Sequence, residues 1–106
     1  MSRRKCKVKS ITAEELQQKV EQGQQLQIID VRELEEVAYG MVPGANHIPL
    51  GQLPERVAEV EQQQPVYIIC KAGGRSAMAC DFLETSGYET INIEGGMMDW
   101  EGETIA

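Results

Sequence analysis

Four β-prone or apolar residues, Val66-Tyr67-Ile68-Ile69, run directly into Cys70, a turn of Lys71-Ala72-Gly73-Gly74-Arg75, and a stretch from Ser76 to Leu83. A short apolar run bounded by turn residues reads as a buried strand, and the stretch that opens at Ser76 reads as the start of a helix. A strand that hands over to a helix in this way belongs to an α/β arrangement. Cys70 then stands at the carboxyl end of its strand, the edge of an open α/β sheet where ligands bind, with a helix amino terminus aimed at the same point.

The same alternation fills the rest of the chain. Thr12 reads as an N-cap with Glu15 closing a capping box and Ile11 stapled to Leu16, for a helix that runs to about Gln22 and stops at Gly23. A strand at about Leu26 to Asp30, a short helix at about Glu33 to Tyr39, and a brief strand near His47-Ile48 follow. Pro54 opens a helix bearing Val57 and Val60, and Pro65 bars its continuation. Gly87 caps the helix after Cys70, Thr90 to Ile93 is the last strand, and Met97 to Glu101 is a closing turn of helix. The expected fold is therefore α/β, a mostly parallel central sheet of four to five short strands with helices on both faces, in three layers.

A thiol becomes reactive when it ionises, and helix N-termini and nearby Lys or Arg lower its pKa. Cys70 has these neighbours. Lys71 and Arg75 bracket the turn, Gly73 and Gly74 can take positive φ, and the amides of Lys71, Ala72, Gly73, Gly74, Arg75 and Ser76 can point inward as an anion-binding nest. Such a nest stabilises a thiolate, a persulfide or a bound oxyanion. A Cys-His dyad would rest on His47, the single histidine. The alternative for Cys70 is a core cysteine ending a strand, which accounts for the thiol but not for the Lys, Gly, Gly, Arg and Ser that follow it. Arg75 has two readings: direct contact with a substrate, or an ion pair with a carboxylate near the loop such as Asp30.

Thiol phosphatases place five residues between their cysteine and arginine, enough to encircle a phosphoryl group. Here four residues separate Cys70 from Arg75. The tighter ring of amides suits a single sulfur atom on the cysteine, and the loop resembles that of the rhodanese-like domains, the single-domain sulfurtransferase family. The likeness extends to Ile28-Ile29-Asp30-Val31-Arg32-Glu33, to Gly40 through Leu50, and to Asn92-Ile93-Glu94-Gly95-Gly96-Met97-Met98-Asp99-Trp100, in the order the family has them. Met41 stands where the family usually has histidine, and the tail after Trp100 is short, which could loosen the last helix.

The resemblance implies a sulfurtransferase in which Cys70 takes a sulfane sulfur from a small anionic donor such as thiosulfate. It then passes that sulfur to cyanide or a thiol, including a thiol protein. No cofactor and no metal are implied. Two rival readings use the same fold, a persulfide carrier or non-catalytic binding module serving a protein partner, and phosphatase or arsenate reductase chemistry, for which the loop is one residue short.

Neighbouring residues carry plainer readings. Asp30 either supports the loop or only ends a strand and caps the following turn, while Arg32 with Glu33, Glu35 and Glu36 reads as a solvated helix face. Cys80 falls with Ser76, Ala79 and Leu83 on one helical stripe and reads as core rather than as a resolving thiol for Cys70. Met97 and Met98 read as gap-filling core rather than as a soft surface at the rim of the site, and Trp100 as a core or edge-covering aromatic rather than a wall of the site.

The net charge of −7 is unevenly distributed. Arg3, Arg4, Lys5, Lys7 and Lys9 lie in the first nine positions, leaving five bases against seventeen acids, a net charge of −12, in the remainder. That balance disfavours nucleic acid as a partner and leaves Lys71 and Arg75 as a positive island that focuses small anions on Cys70. The expected organisation is a basic tail at 1–7, containing an incidental Cys6, and one domain at 8–106. There is no apolar run of membrane length and no signal-peptide core, and three cysteines fit a reducing compartment. A cytoplasmic location with no membrane partner is expected.

Overall fold

The computed structural model describes residues 9–105. The basic tail and Cys6 lie outside them. Five parallel strands, β1 (Lys9–Thr12), β2 (Gln27–Asp30), β3 (Asn46–His47), β4 (Val66–Ile69) and β5 (Thr90–Glu94), form one sheet in the order β1-β5-β4-β2-β3. Four α-helices, α1 (Ala13–Glu21), α2 (Leu34–Val37), α3 (Leu53–Arg56) and α4 (Gly74–Thr85), and three 3₁₀ turns connect them.

Alternation along the central strands builds the layers. Ile28, Ile69 and Ile93 cluster with Ala13 and Leu16 of α1, whereas Ile29, Val66, Ile68 and Cys70 cluster with Leu53 of α3 and with Ala79, Cys80 and Leu83 of α4. Successive strand residues face opposite sides, so strands this apolar are buried on both faces. The fold is the expected three-layer α/β one, and its designated strand pairs are parallel throughout. The capping box forms as read from the sequence, with Thr12 Oγ1 accepting from the Glu15 amide and Glu15 accepting from the Thr12 amide.

Several boundaries differ from expectation. β1 was not apparent in the sequence, because Lys9-Ser10-Ile11-Thr12 is mostly polar and sits at the sheet edge, where one face stays wet. The helix expected from Pro54 is one turn, Leu53–Arg56, followed by a 3₁₀ turn at Val57–Glu59. The closing turn is likewise 3₁₀, at Gly96–Asp99. After Trp100 the chain returns to pair Ile105 with Met41 through reciprocal backbone hydrogen bonds. Among the described residues, no helix is long and apolar enough to cross a membrane.

Candidate active site

Cys70 follows the last residue of β4 and is 1% exposed, its side chain on the sheet face that α4 covers. Gly73 has φ 114°, a left-handed conformation that turns the chain back so α4 begins at Gly74, two residues earlier than the sequence indicated. Gly74 itself keeps an ordinary negative φ, so one glycine performs the turn for which two were expected. The amides of Gly73 and Ser76 donate to Cys70 Sγ at 3.1 and 3.3 Å, and the thiol donates to Ser76 Oγ at 3.3 Å. Burial pushes the thiol pKa up, but the Ser76 hydroxyl and the amides of Ser76, Gly73 and Ala72 outweigh it, leaving Cys70 below the ordinary thiol value.

The first two carbonyls of the loop are held from the opposite side. The amides of Met97 and Met98 donate to the carbonyls of Cys70 and Lys71 at 2.8 and 2.9 Å. Gly96 permits this approach: a Cβ there would lie 2.3 Å from the Cys70 oxygen and 2.6 Å from the Lys71 oxygen. Gly96 and the two amides that follow it thus clamp the cysteine loop from behind.

Arg75 is paired with Glu36 of α2, not with Asp30. Its two terminal nitrogens bond the two carboxylate oxygens at 2.7 and 2.8 Å. Asp30 is held instead by Arg32, through Nε at 2.9 and 3.1 Å and a terminal nitrogen at 2.7 Å. Arg32 is therefore buried rather than part of a solvated face, and its guanidinium also donates to the carbonyls of Glu36 and Gly40. Asp30 additionally accepts from the Arg32 amide, capping the turn after β2. The local reason is geometric: the turn brings residues two apart face to face, whereas Arg75 points across the loop to α2. The positive island expected from Lys71 and Arg75 shrinks accordingly, because Glu36 neutralises Arg75.

A groove of about 440 Å³ runs past the loop, lined by Arg32, Glu35, Glu36, Tyr39, Lys71, Met97 and Met98. Tyr39 is 91% exposed and Met98 68%, so Met98 is groove surface rather than the expected core, while Met97 packs inward. Trp100 is absent from this lining and packs against the α1 cluster. His47 Nε2 donates to the Arg32 carbonyl at 2.7 Å. Cys80 is buried in the α4 core, and desolvation raises its pKa to about 11. Among the described residues, no group of three or more His, Cys, Asp or Glu is placed to hold a metal ion. Sequence reasoning missed Glu36 as the partner of Arg75, and it missed Asn92, whose side chain accepts from Ser76 Oγ. The first had no signal among four neighbouring acids; the second lay inside a quoted motif but without an assigned role.

A near-buried thiol cradled by amides at the carboxyl edge of a parallel α/β sheet defines a class of thiol-anion sites. Residues 12–103 match the family model described as rhodanese-like domain, and the chain belongs to that family, one of sulfurtransferases and sulfur carriers. It is 45% identical over 97 residues to YtwF of Bacillus subtilis, provisionally named a sulfurtransferase, covering 92% of this chain and 94% of that one. It is 41% identical over 98 residues to YrkF of Bacillus subtilis, provisionally named a sulfur carrier protein, covering 92% of this chain and 53% of that one. The crystal structure of a rhodanese-like domain protein from Staphylococcus aureus superposes with a TM-score of 0.85 at 40% identity, covering 91% of this chain and 94% of that one.

Proposed function

We propose that the chain transfers sulfane sulfur through a persulfide on Cys70. The Cys70 thiolate attacks the outer sulfur of a donor such as thiosulfate, the donor's S–S bond breaks, and sulfite leaves with the electron pair. Attack by cyanide on the outer sulfur of the persulfide returns the thiolate and releases thiocyanate. A thiol acceptor takes the same sulfur as its own persulfide. Lys71 draws in the anionic donor, and the amides from Lys71 to Ser76 hold the transferred sulfur. Arg75 acts by tying α4 to α2 rather than by touching the donor. Asp30 supports the loop at one remove, since it fixes Arg32, which holds the Glu36 carbonyl beside the carboxylate that pairs with Arg75.

The observation that carries this reading is the pair of backbone amides donating into Cys70 Sγ within a Cys-to-Arg loop too short for a phosphoryl group. Three cysteines, an odd count without metal-ligand spacing, suit a reducing compartment, the cytoplasm. Intact mass after incubation with thiosulfate tests the chemistry: a gain of about 32 Da, removed by cyanide and absent in Cys70→Ser, is expected for covalent catalysis through this thiol. Absence of the adduct in the parent protein removes thiosulfate as donor.

A second reading, a persulfide carrier fed or emptied by a protein, is favoured by the groove. Its exposed Tyr39 and Met98 walls serve no small anion, and neutralisation of Arg75 leaves less charge to attract one. Transfer from a persulfidated partner protein, with no adduct from thiosulfate, would select this reading.

A further inference from the structure

The hydroxyl of Ser76 has one proton and three neighbours that can accept it. Cys70 Sγ lies 3.3 Å away, the Gly73 carbonyl 3.1 Å away, and the Asn92 side-chain oxygen closer still. Asn92 is half-buried in β5, between the register partners Ser10 and Ile68, on the sheet face that α4 covers. In the arrangement observed, the thiol donates to Ser76 Oγ and Ser76 donates to Asn92, a continuous chain Cys70→Ser76→Asn92 that fits a protonated sulfur.

An ionised sulfur demands the reverse. A thiolate or persulfide anion has no proton to give and gains from a third donor beside the amides of Gly73 and Ser76. The Ser76 proton must then turn to sulfur, leaving a serine lone pair facing a carbonyl-type oxygen of Asn92. A side-chain amide can relieve that repulsion without moving its backbone, because it carries an acceptor oxygen on one side and two N–H donors on the other. Rotated by half a turn, Asn92 donates to Ser76 Oγ, and Ser76 donates to sulfur. Each bond polarises the next in the same direction. Neither a carboxylate nor an aliphatic side chain could serve both states.

We propose that Asn92 is a positioning residue that sets the direction of the Ser76 hydroxyl, donating to it when Cys70 carries negative charge and accepting from it when Cys70 is a thiol. The inference rests on the reading of Cys70 as the sulfur-bearing nucleophile. Asn92 touches neither donor nor acceptor; it acts through Ser76.

Side-chain amide resonances of Asn92 followed by NMR during a pH titration of the full chain test this directly. The expected result is that the Asn92 NH₂ signals shift with the same midpoint as the backbone amides of Gly73 and Ser76, and that Ser76→Ala abolishes the Asn92 response. Asn92→Asp, which can only accept, is expected to slow alkylation of Cys70 below its pKa by about tenfold, one unit of pKa. In a Ser76→Ala background the same substitution is expected to fall well short of that. Asn92 signals that stay fixed while the Gly73 and Ser76 amides titrate overturn the proposal and leave the nucleophile reading intact. An Asn92→Asp effect of equal size with and without the serine hydroxyl also overturns it, since the carboxylate then acts through space. If none of the three residues responds at any pH at which the protein is folded, the cradle does not hold an ionising thiol, and both readings fall.

Discussion

Arg75, in the first turn of α4, meets Glu36 of α2 through two parallel hydrogen bonds of 2.7 and 2.8 Å. This fork ties the first turn of α4 to α2. It also cancels one of two cations beside Cys70. Lys71 is then the exposed cation of the groove, because Arg32 is buried against Asp30. The loop is held by the Arg75–Glu36 pair in front and by the Met97 and Met98 amides behind.

The ion pair makes stability depend on acid in a defined window. The Arg75 hydrogen bonds hold the Glu36 carboxyl at about 2, below its ordinary 4.5. A depressed carboxyl contributes fully above its unfolded value and loses that contribution as pH falls from 4.5 toward 2. Glu36→Gln is expected to cost about 1 kcal/mol near neutral pH, the scale of a well-formed but partly exposed pair. Thermal melts should show the gap between variant and parent narrowing through that window. A gap that persists unchanged at the acid end would assign the loss to packing instead.

The same contact shows what the sequence could and could not reveal. Strand β4, the turn at Gly73 and the buried stripe Ser76, Ala79, Cys80 and Leu83 were legible because periodicity and turn chemistry are local. The partner of Arg75 was not, since Glu33, Glu35 and Glu36 are chemically alike and only the tertiary placement of α2 selects one. Arg32 looked solvated because its neighbours are acidic, yet the turn after Asp30 folds it inward. β1 escaped notice because three of its four residues are polar, and the groove escaped because Tyr39 and Met98 lie far apart in the sequence.

Two buried cysteines with opposite environments should react in a fixed order. Burial opposes ionisation at both, but at Cys70 the Ser76 hydroxyl and loop amides overcome it, whereas Cys80 is raised to about 11. Iodoacetamide at mildly alkaline pH, with peptide mapping to separate Cys6, is expected to modify Cys70 well before Cys80. The Cys70 rate should level off below the ordinary thiol pKa of 9.0. Equal rates at the two sites would mean that local opening, not ionisation, controls access.

Gly96 tests the rear clamp. Its φ of +53° and the backbone oxygens 2.3 and 2.6 Å from a notional Cβ leave no room for alanine without displacing the loop carbonyls. Gly96→Ala is expected to destabilise the fold by about 2 to 3 kcal/mol, on the scale of imposed backbone strain and steric overlap. The alkylation rate of Cys70 should fall as well, because displacing the Cys70 and Lys71 carbonyls shifts the start of the loop that carries the amides. Lost stability with an unchanged thiol pH profile would show that the clamp supports the fold and not the cradle.

Lys71 separates the two readings of the donor. If a free anion is recruited by charge, Lys71→Glu reverses the field at the groove on a body that is already acidic. Persulfide formation from thiosulfate should then slow by about tenfold or more at low salt. Screening shortens the reach of surface charge to about 10 Å at 0.1 M salt, so the deficit should shrink as salt is raised. Iodoacetamide, being neutral, reports any change in the thiol itself, and the ratio of the two rates isolates recruitment. A ratio that Lys71→Glu leaves unchanged would argue against electrostatic capture of a small donor. The sulfur would then arrive on a protein seated against Tyr39 and Met98, and substitution of those side chains, rather than Lys71, should limit the rate.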